Sequence, residues 1–164
     1  MFHEYLLIFL ISMVPIVELR GALIIAAGYA AFNPDFSMVW AYIICVIGNM
    51  LPVPFIYLFA RKILEWGADK KVIGKLFSWI LVKGDRAGKK LEEKAGKGLF
   101  FALMLFVGIP LPGTGAWTGT LGASILDMKF KPTVFAAMGG VILAGIIIST
   151  LSVLGFSIAG AASV

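Results

Sequence analysis

The chain has 164 residues, of which 60% are hydrophobic and 14% are charged, and its mean hydropathy is +0.99. Soluble domains carry roughly a quarter charged residues, so this composition excludes a soluble globular protein and predicts an all-α integral membrane protein. At roughly 20 residues per crossing, the length fits a single membrane domain over residues 1–164 and leaves no room for a separate catalytic domain.

The net charge of +5 is concentrated in one segment. Residues 61–97 contain 11 of the 14 Lys and Arg residues and five acidic residues, so the segment carries a charge of +6. A basic patch can bind nucleic acid. In a chain this apolar, we instead expect a cytoplasmic segment that follows the positive-inside bias and lies against anionic lipid headgroups. The composition therefore predicts a multi-pass protein of the cell membrane. We expect it to contact membrane lipids and not to bind nucleic acid.

The first apolar stretch, residues 5–32, is interrupted by Pro15, Glu18 and Arg20. A charged side chain at the centre of a bilayer costs about 2.5 to 3.5 kcal/mol on insertion scales, so neither charge is incidental. Two explanations are open. The charges form a structural ion pair that braces the break, or they form a proton- or cation-binding carboxylate beside a guanidinium that recognises anions. We predict a re-entrant hairpin over this stretch.

Residues 37–60 are apolar for long enough to form a transmembrane helix, and Asn49, Pro52 and Pro54 predict a kink in it. The Asn49 amide is expected either to form a hydrogen bond between helices or to contact a ligand. The following residues, 61–97, are basic and amphipathic, and they predict interfacial helices on the cytoplasmic side of the membrane.

A proline and glycine break lies inside the next apolar run, in LFVGIPLPGTGAWTGTLGASIL at residues 105–126. Pro110 and Pro112 remove backbone donors, and the neighbouring glycines weaken helix propensity. One helix is therefore predicted to end near Gly108, and a second can begin after Gly115.

In hydrocarbon, the backbone groups freed by such a break are tolerated only where protein or a watery cavity satisfies them. We therefore predict a second re-entrant hairpin over residues 98–128, followed by a transmembrane helix over residues 133–164. The predicted substrate or ion site comprises Glu18, Arg20, Asn49, Pro110, Pro112, Gly113, Thr114, Gly115, Trp117 and Thr118.

Two kinds of side chain in this break have two possible roles each. The hydroxyls of Thr114, Thr118 and Thr120 can satisfy freed backbone groups or line a cavity. Trp117 is expected to be a packed core aromatic or, alternatively, a stacking or gate residue.

The N-terminal SMVPIVELRGALIIAAG, residues 12–28, repeats the pattern of that break. Aligning Pro15 with Pro110 places Glu18 opposite Gly113. Paired interrupted segments in corresponding halves are typical of transporter sites built from inverted repeats. The predicted fold therefore has two inverted repeats, each a re-entrant helical hairpin plus a transmembrane helix, with amphipathic interfacial helices between them.

Intramembrane enzymes need a nucleophile with a base, or metal ligands, and neither pattern is present. The sequence has no GxSxG and no HExxH, its one histidine is His3, and its one cysteine, Cys45, excludes an intrachain disulfide. PGTGAWTG lacks the Lys-Ser/Thr of a nucleotide-binding loop. We expect no enzyme activity, no metal and no cofactor.

Three motifs, PIVELRGA at 15–22, GNMLPVP at 48–54 and IPLPGTGAWTG at 109–119, resemble those of the small multidrug export protein family. The resemblance covers essentially the whole chain. That family is in turn similar to the DedA superfamily, whose members resemble secondary transporters. Some of those members are linked to moving undecaprenyl phosphate or phospholipids. The similarity implies that Glu18 corresponds to an acidic residue of the first DedA hairpin. The DedA arginine motif of the second hairpin is missing, because residues 113–119 contain no arginine.

These patterns favour a membrane transporter, coupled to H⁺ or Na⁺, with a midplane site between two hairpins and a small amphipathic or lipid-phosphate substrate. The alternatives are a DedA-like lipid flippase and a non-transporting membrane assembly factor. Two crossings and two half-hairpins bury little surface on their own, so we expect a homodimer.

Overall fold

Eight helices form the part of the chain that the computed structural model describes, which is residues 2–70, 74–95, 98–111 and 113–162, without the side chains of 85, 87–95 and 156–162. Every regular element in the described ranges is a helix and no strand occurs there, which confirms the all-α prediction. The helices are α1 (Phe2–Met13), α2 (Glu18–Phe32), α3 (Met38–Met50), α4 (Val53–Ala68), α5 (Gly74–Ala95), α6 (Gly98–Gly108), α7 (Ala116–Ile125) and α8 (Phe130–Ala162).

Helices α1 and α2 form an antiparallel pair, here called the first pair, and the turn at residues 14–17 is its tip. The far ends of the two helices lie together, because the ring of Tyr5 stacks on that of Phe36 at 4.7 Å and the Ser37 N–H donates to the Tyr5 hydroxyl over 2.9 Å. The interruption expected at Pro15 is confirmed.

Helices α6 and α7 form the second pair, with its tip at residues 109–115. The pair is closely packed at Gly119, where an added Cβ would lie 3.2 Å from the Leu103 side chain and 2.6 Å from that of Val107. Helix α6 ends at Gly108 and α7 begins at Ala116, so both predicted ends of the break are confirmed.

Two longer helical stretches accompany the pairs. Of the described residues, Met38–Ala68 (31 residues, α3 and α4) and Phe130–Gly155 (26 residues of α8) are long and apolar enough to cross a membrane. The first continues past the predicted end at residue 60. The second begins before the predicted residue 133. It continues through Gly155, because a lone glycine costs only about 1 kcal/mol in a helix.

Helix α8 packs closely on the second pair because small residues let the backbones approach. An added Cβ at Gly140 would lie 2.6 Å from both the Met104 carbonyl oxygen and the Val107 side chain. On the other side, α8 meets α2 and α3, where the Tyr42 hydroxyl donates to the Ile142 carbonyl over 2.9 Å. Helix α8 therefore lies between the second pair and helices α2 and α3.

Because Gly140 faces backbone, Gly140→Leu is expected to destabilise the protein by roughly 2 to 3 kcal/mol, the usual cost of overpacking. Thermal unfolding of the detergent-solubilised protein measures this cost. Gly155→Leu is the matched control, since a Cβ at Gly155 meets open space. Equal unfolding midpoints for the two variants would contradict the close packing of α8.

Within the basic segment, residues 61–97, the described residues form the end of α4 and the whole of α5. These helices pack together where Gly67 lies against the ring of Phe77, and the α5 backbone at Gly84 touches the carbonyl of Ile125, the last residue of α7. The spacing of Val72, Ile73 and Leu76 in the sequence predicts that they share one apolar helix face. Leu76 is exposed, and Val72 and Ile73 lie outside the described residues.

Candidate functional site

Two charged residues at the start of α2 bring the tips of the two pairs together. Glu18 and Arg20 both reach the tip of the second pair, roughly 90 positions further along the chain. Glu18 is 6% exposed and Arg20 is half-buried. The tip-to-tip contact is therefore made by the only charges within the apolar stretch 5–32.

The Glu18 carboxylate caps the N-terminus of α7. Its Oε1 accepts the Trp117 N–H over 3.1 Å, and Gly115, at the capping position of α7, has no side chain that could do so. The first N–H groups of a helix have no partner within it, and the helix dipole is positive there, so a carboxylate is stabilising at this end. Glu18 itself adopts φ of +51°, an unfavourable conformation for a side chain of this kind.

The Arg20 guanidinium caps the C-terminus of α6. Its Nη1 donates to the Leu111 carbonyl over 2.6 Å. Its Nη2 donates to the carbonyls of Val107 and Ile109, over 3.1 and 3.2 Å, and to the Thr114 hydroxyl over 3.0 Å. These carbonyls have lost their helical partners at the break, and the negative end of the helix dipole favours a cation beside them.

Glu18 and Arg20 form no direct ion pair within the described residues. They point instead to the two opposite helix ends of one break, the acid to the start of α7 and the base to the end of α6. The structural explanation of these charges therefore takes a form that the sequence did not suggest, in which the first half of the chain braces the break in the second half.

The threonines of the second tip satisfy freed backbone groups. The Thr114 hydroxyl lies 2.8 Å from the carbonyl oxygens of Ile109 and Leu111, and the Thr118 hydroxyl donates to the Gly113 carbonyl over 2.9 Å. The tip is thus closed by its own side chains as well as by Arg20.

Other predicted site residues are less fully engaged. In the described part of the chain, Asn49 Oδ1, Trp117 Nε1 and Thr120 Oγ1 are buried and have no hydrogen-bond partner. Pro110 is half-buried in the tip. Gly113 is exposed with φ of +80°, which favours glycine. Buried polar atoms without partners are uncommon in proteins, so the three are candidate contacts for water or a ligand.

One predicted site residue, Asn49, is not joined to this assembly in the described part of the chain. Asn49 lies on α3, and none of the hydrogen bonds among the described residues joins it to the second tip. Pro112 lies outside the described residues.

Polar contacts that were not predicted from the sequence fix the other end of α7 to α4. The Ser124 hydroxyl donates to the Tyr57 carbonyl over 3.0 Å, the Tyr57 hydroxyl donates to the Met128 carbonyl, and Arg61 pairs with Asp127. A signal for them was present, because Tyr57 and Arg61 are four residues apart and share a face of α4. Helix α7 is therefore anchored by polar contacts at both ends.

Gly115→Leu is expected to impair activity more than folding. A Cβ at this position would overlap the Glu18 carboxylate and push it away from the Trp117 N–H, whereas the surrounding helices are packed by other residues. Activity and the thermal midpoint should be measured on the same preparation. Gly122→Leu, where a Cβ meets open space in the same helix, is the control. Loss of folded Gly115→Leu protein from detergent extracts would support a packing role instead.

Comparison with known proteins assigns the chain to a family. The family model described as Putative small multi-drug export protein matches residues 18–147. The match begins at Glu18 and includes Arg20 and the whole second tip, so it contains the tip-to-tip contact. No curated protein and no solved structure matches the chain.

Proposed function

Since the chain belongs to the small multi-drug export protein family, we propose that it is a membrane transporter whose substrate site lies where the tips of the two helix pairs meet. The observation that carries the proposal is the reach of Glu18 and Arg20 from α2 to the opposite helix ends of the second tip. Buried charges beside interrupted helices are the usual construction of a transporter site.

The lengths of the paired helices support a re-entrant arrangement. Helices α1 and α2 have 12 and 15 residues, and α6 and α7 have 11 and 10. At 1.5 Å per residue they are about 15 to 22 Å long, whereas the hydrocarbon core is about 30 Å thick. In the proposed arrangement each pair enters and leaves on one side of the membrane. The two tips then meet near the middle, and the halves form inverted repeats.

The same contacts suggest how substrate and ion are coupled. An anionic substrate group that engages Arg20 would compete with the carbonyls of the second tip, and protonation of Glu18 would remove the negative charge at the start of α7. Each event weakens one of the two caps. Glu18 is thus the proposed coupling residue, since substrate binding at Arg20 loosens the tip and changes the surroundings of the carboxylate.

Reconstitution into liposomes tests the proposal. Flux of a panel of cationic drugs and polyprenyl phosphates should be measured under imposed pH and sodium gradients. We expect uptake of at least one compound to depend on one of the gradients and to be absent from empty liposomes. Uptake that is indifferent to both gradients for every compound would contradict ion coupling.

The inverted arrangement makes a topology prediction. If residues 98–128 return to the side they entered, Lys131 joins the basic segment in the cytoplasm, while Asp35 lies outside. Single cysteines introduced at 35 and 131 in a Cys45→Ala background report this through an impermeant thiol reagent. Position 35 should be labelled in intact cells and position 131 protected. Labelling of both positions from outside would contradict the arrangement.

A second candidate is a non-transporting membrane assembly factor. It is favoured by the engagement of Arg20 with four acceptors of its own chain, which is what a purely structural brace requires. Such a protein needs the brace only in order to fold, so every functional loss on neutralising Glu18 should be matched by loss of folded protein. Loss of flux from a fully folded variant would exclude this candidate.

A further inference from the structure

A groove of about 560 Å³ lies between the end of α4 and the first half of α5, away from the tips. We propose that it binds the headgroup of an anionic phospholipid. Its described lining residues are Ala68, Lys70, Gly74, Lys75, Ser78, Trp79 and Val82. The volume is within the usual range of small-molecule sites, about 300 to 1,000 Å³.

The charge of the groove selects an anion. Lys70 and Lys75 line it, Ser78 adds a hydroxyl donor, and the described lining contains no acidic residue. The nearest acid along the chain, Asp69, is exposed and does not line the groove. Lysine ammonium groups bind phosphate as compact point charges. The groove therefore presents two cations and a hydroxyl to one ligand within a segment whose charge is already +6.

Tryptophan rings place one groove lysine, Lys70, and a neighbouring lysine outside the lining, Lys83, at the depth of the lipid headgroups. The Lys70 ammonium lies 4.3 Å from the ring centroid of Trp66, and the Lys83 ammonium lies 5.5 Å from that of Trp79. Both rings are mostly exposed, at 61% and 58%. Exposed tryptophan is typical of the membrane–water interface, where the ring is at headgroup level. The ammonium groups held beside these rings are therefore expected at the same level.

The apolar side of the groove selects a lipid over a soluble phosphate. Trp79 and Val82 belong to its lining, and Leu76, which lies between the lining residues Lys75 and Ser78 along α5, is 57% exposed. Exposing apolar side chains of this size to water costs free energy, whereas contact with acyl chains does not. The lysines would hold the phosphate, and the apolar side would face the glycerol backbone and the start of the acyl chains.

Native mass spectrometry of the full chain, released from detergent after incubation with phosphatidylglycerol or phosphatidylcholine, tests the site. We expect one phosphatidylglycerol to be retained in preference to phosphatidylcholine. Lys70→Gln with Lys75→Gln should weaken retention roughly 25-fold, at about fivefold for each lysine near a headgroup. Lys129→Gln with Lys131→Gln removes the same charge from exposed positions outside the groove and should leave retention unchanged.

Three outcomes would overturn the site. They are equal retention of the two lipids by the unaltered protein, equal weakening in the groove and control variants, and displacement of the lipid by glycerol phosphate at equal concentration. The second would mean diffuse attraction, and the third a soluble ligand. Thermal unfolding must first show that both double variants are folded. If the Lys70→Gln, Lys75→Gln variant is not folded, the single variants Lys75→Glu and Lys75→Gln are compared instead. Lys75→Glu should then weaken retention of phosphatidylglycerol more than Lys75→Gln does.

Discussion

Glu18→Gln is expected to reduce gradient-driven flux to the level of empty liposomes while leaving the protein folded. Glutamine keeps an oxygen that can accept the Trp117 N–H, so the cap on α7 is retained in a weaker form. The ionisable group is lost, and with it the means of coupling flux to a proton or cation gradient. Flux in proteoliposomes, substrate binding and the thermal midpoint are the three measurements, and binding should persist.

The control for this variant is Asp35→Asn, which neutralises an exposed carboxylate in the turn between α2 and α3. It should transport as the unaltered protein does. Proton-coupled flux at the original rate in Glu18→Gln would refute the role of Glu18 in coupling. Loss of flux together with loss of folded protein would favour the assembly factor.

Arg20→Gln is expected to destabilise the protein by about 3 kcal/mol or more and to weaken binding of anionic substrates. Hydrogen bonds to a charged group contribute about 1.5 to 3 kcal/mol each, and the variant leaves the carbonyls of Val107, Ile109 and Leu111 without their shared donor. Arg20→Lys should be intermediate in stability. A single ammonium cannot reproduce the planar guanidinium, whose two Nη atoms donate to four separate acceptors.

Thermal unfolding in detergent and equilibrium binding measure the two effects separately. Lys129→Gln is the control, since it removes one positive charge from an exposed position. An unchanged midpoint in Arg20→Gln would mean that the second tip does not depend on this cap. An unchanged midpoint with lost binding would assign Arg20 to the substrate alone.

The break in the second pair could be predicted from the sequence because its cause is local. A proline removes its own backbone donor wherever it lies, so Pro110 limits α6 to an end near Gly108. The same reasoning located the interruption at Pro15. By contrast, a single glycine is a weak local signal, and α8 continues through Gly155.

The partners of Glu18 and Arg20 could not be predicted, because their contacts join residues more than 85 positions apart and leave no periodic pattern. The alignment of the two halves did contain a hint. The first break carries two charges and the second carries none at the aligned positions, yet the second has more freed backbone groups. Two charges beside one break and none beside the other indicate that the charged side chains bind the backbone groups of the other break.

Because both caps on the second break come from the first pair, they form late in biogenesis. The ribosome makes α2 long before α7, so Glu18 and Arg20 enter the membrane when neither helix end that they later cap has been synthesised. The two caps can form only once residues 107–117 have been made. A C-terminal fragment made alone would lack both caps, and quality-control proteases would encounter it with an open tip in the bilayer.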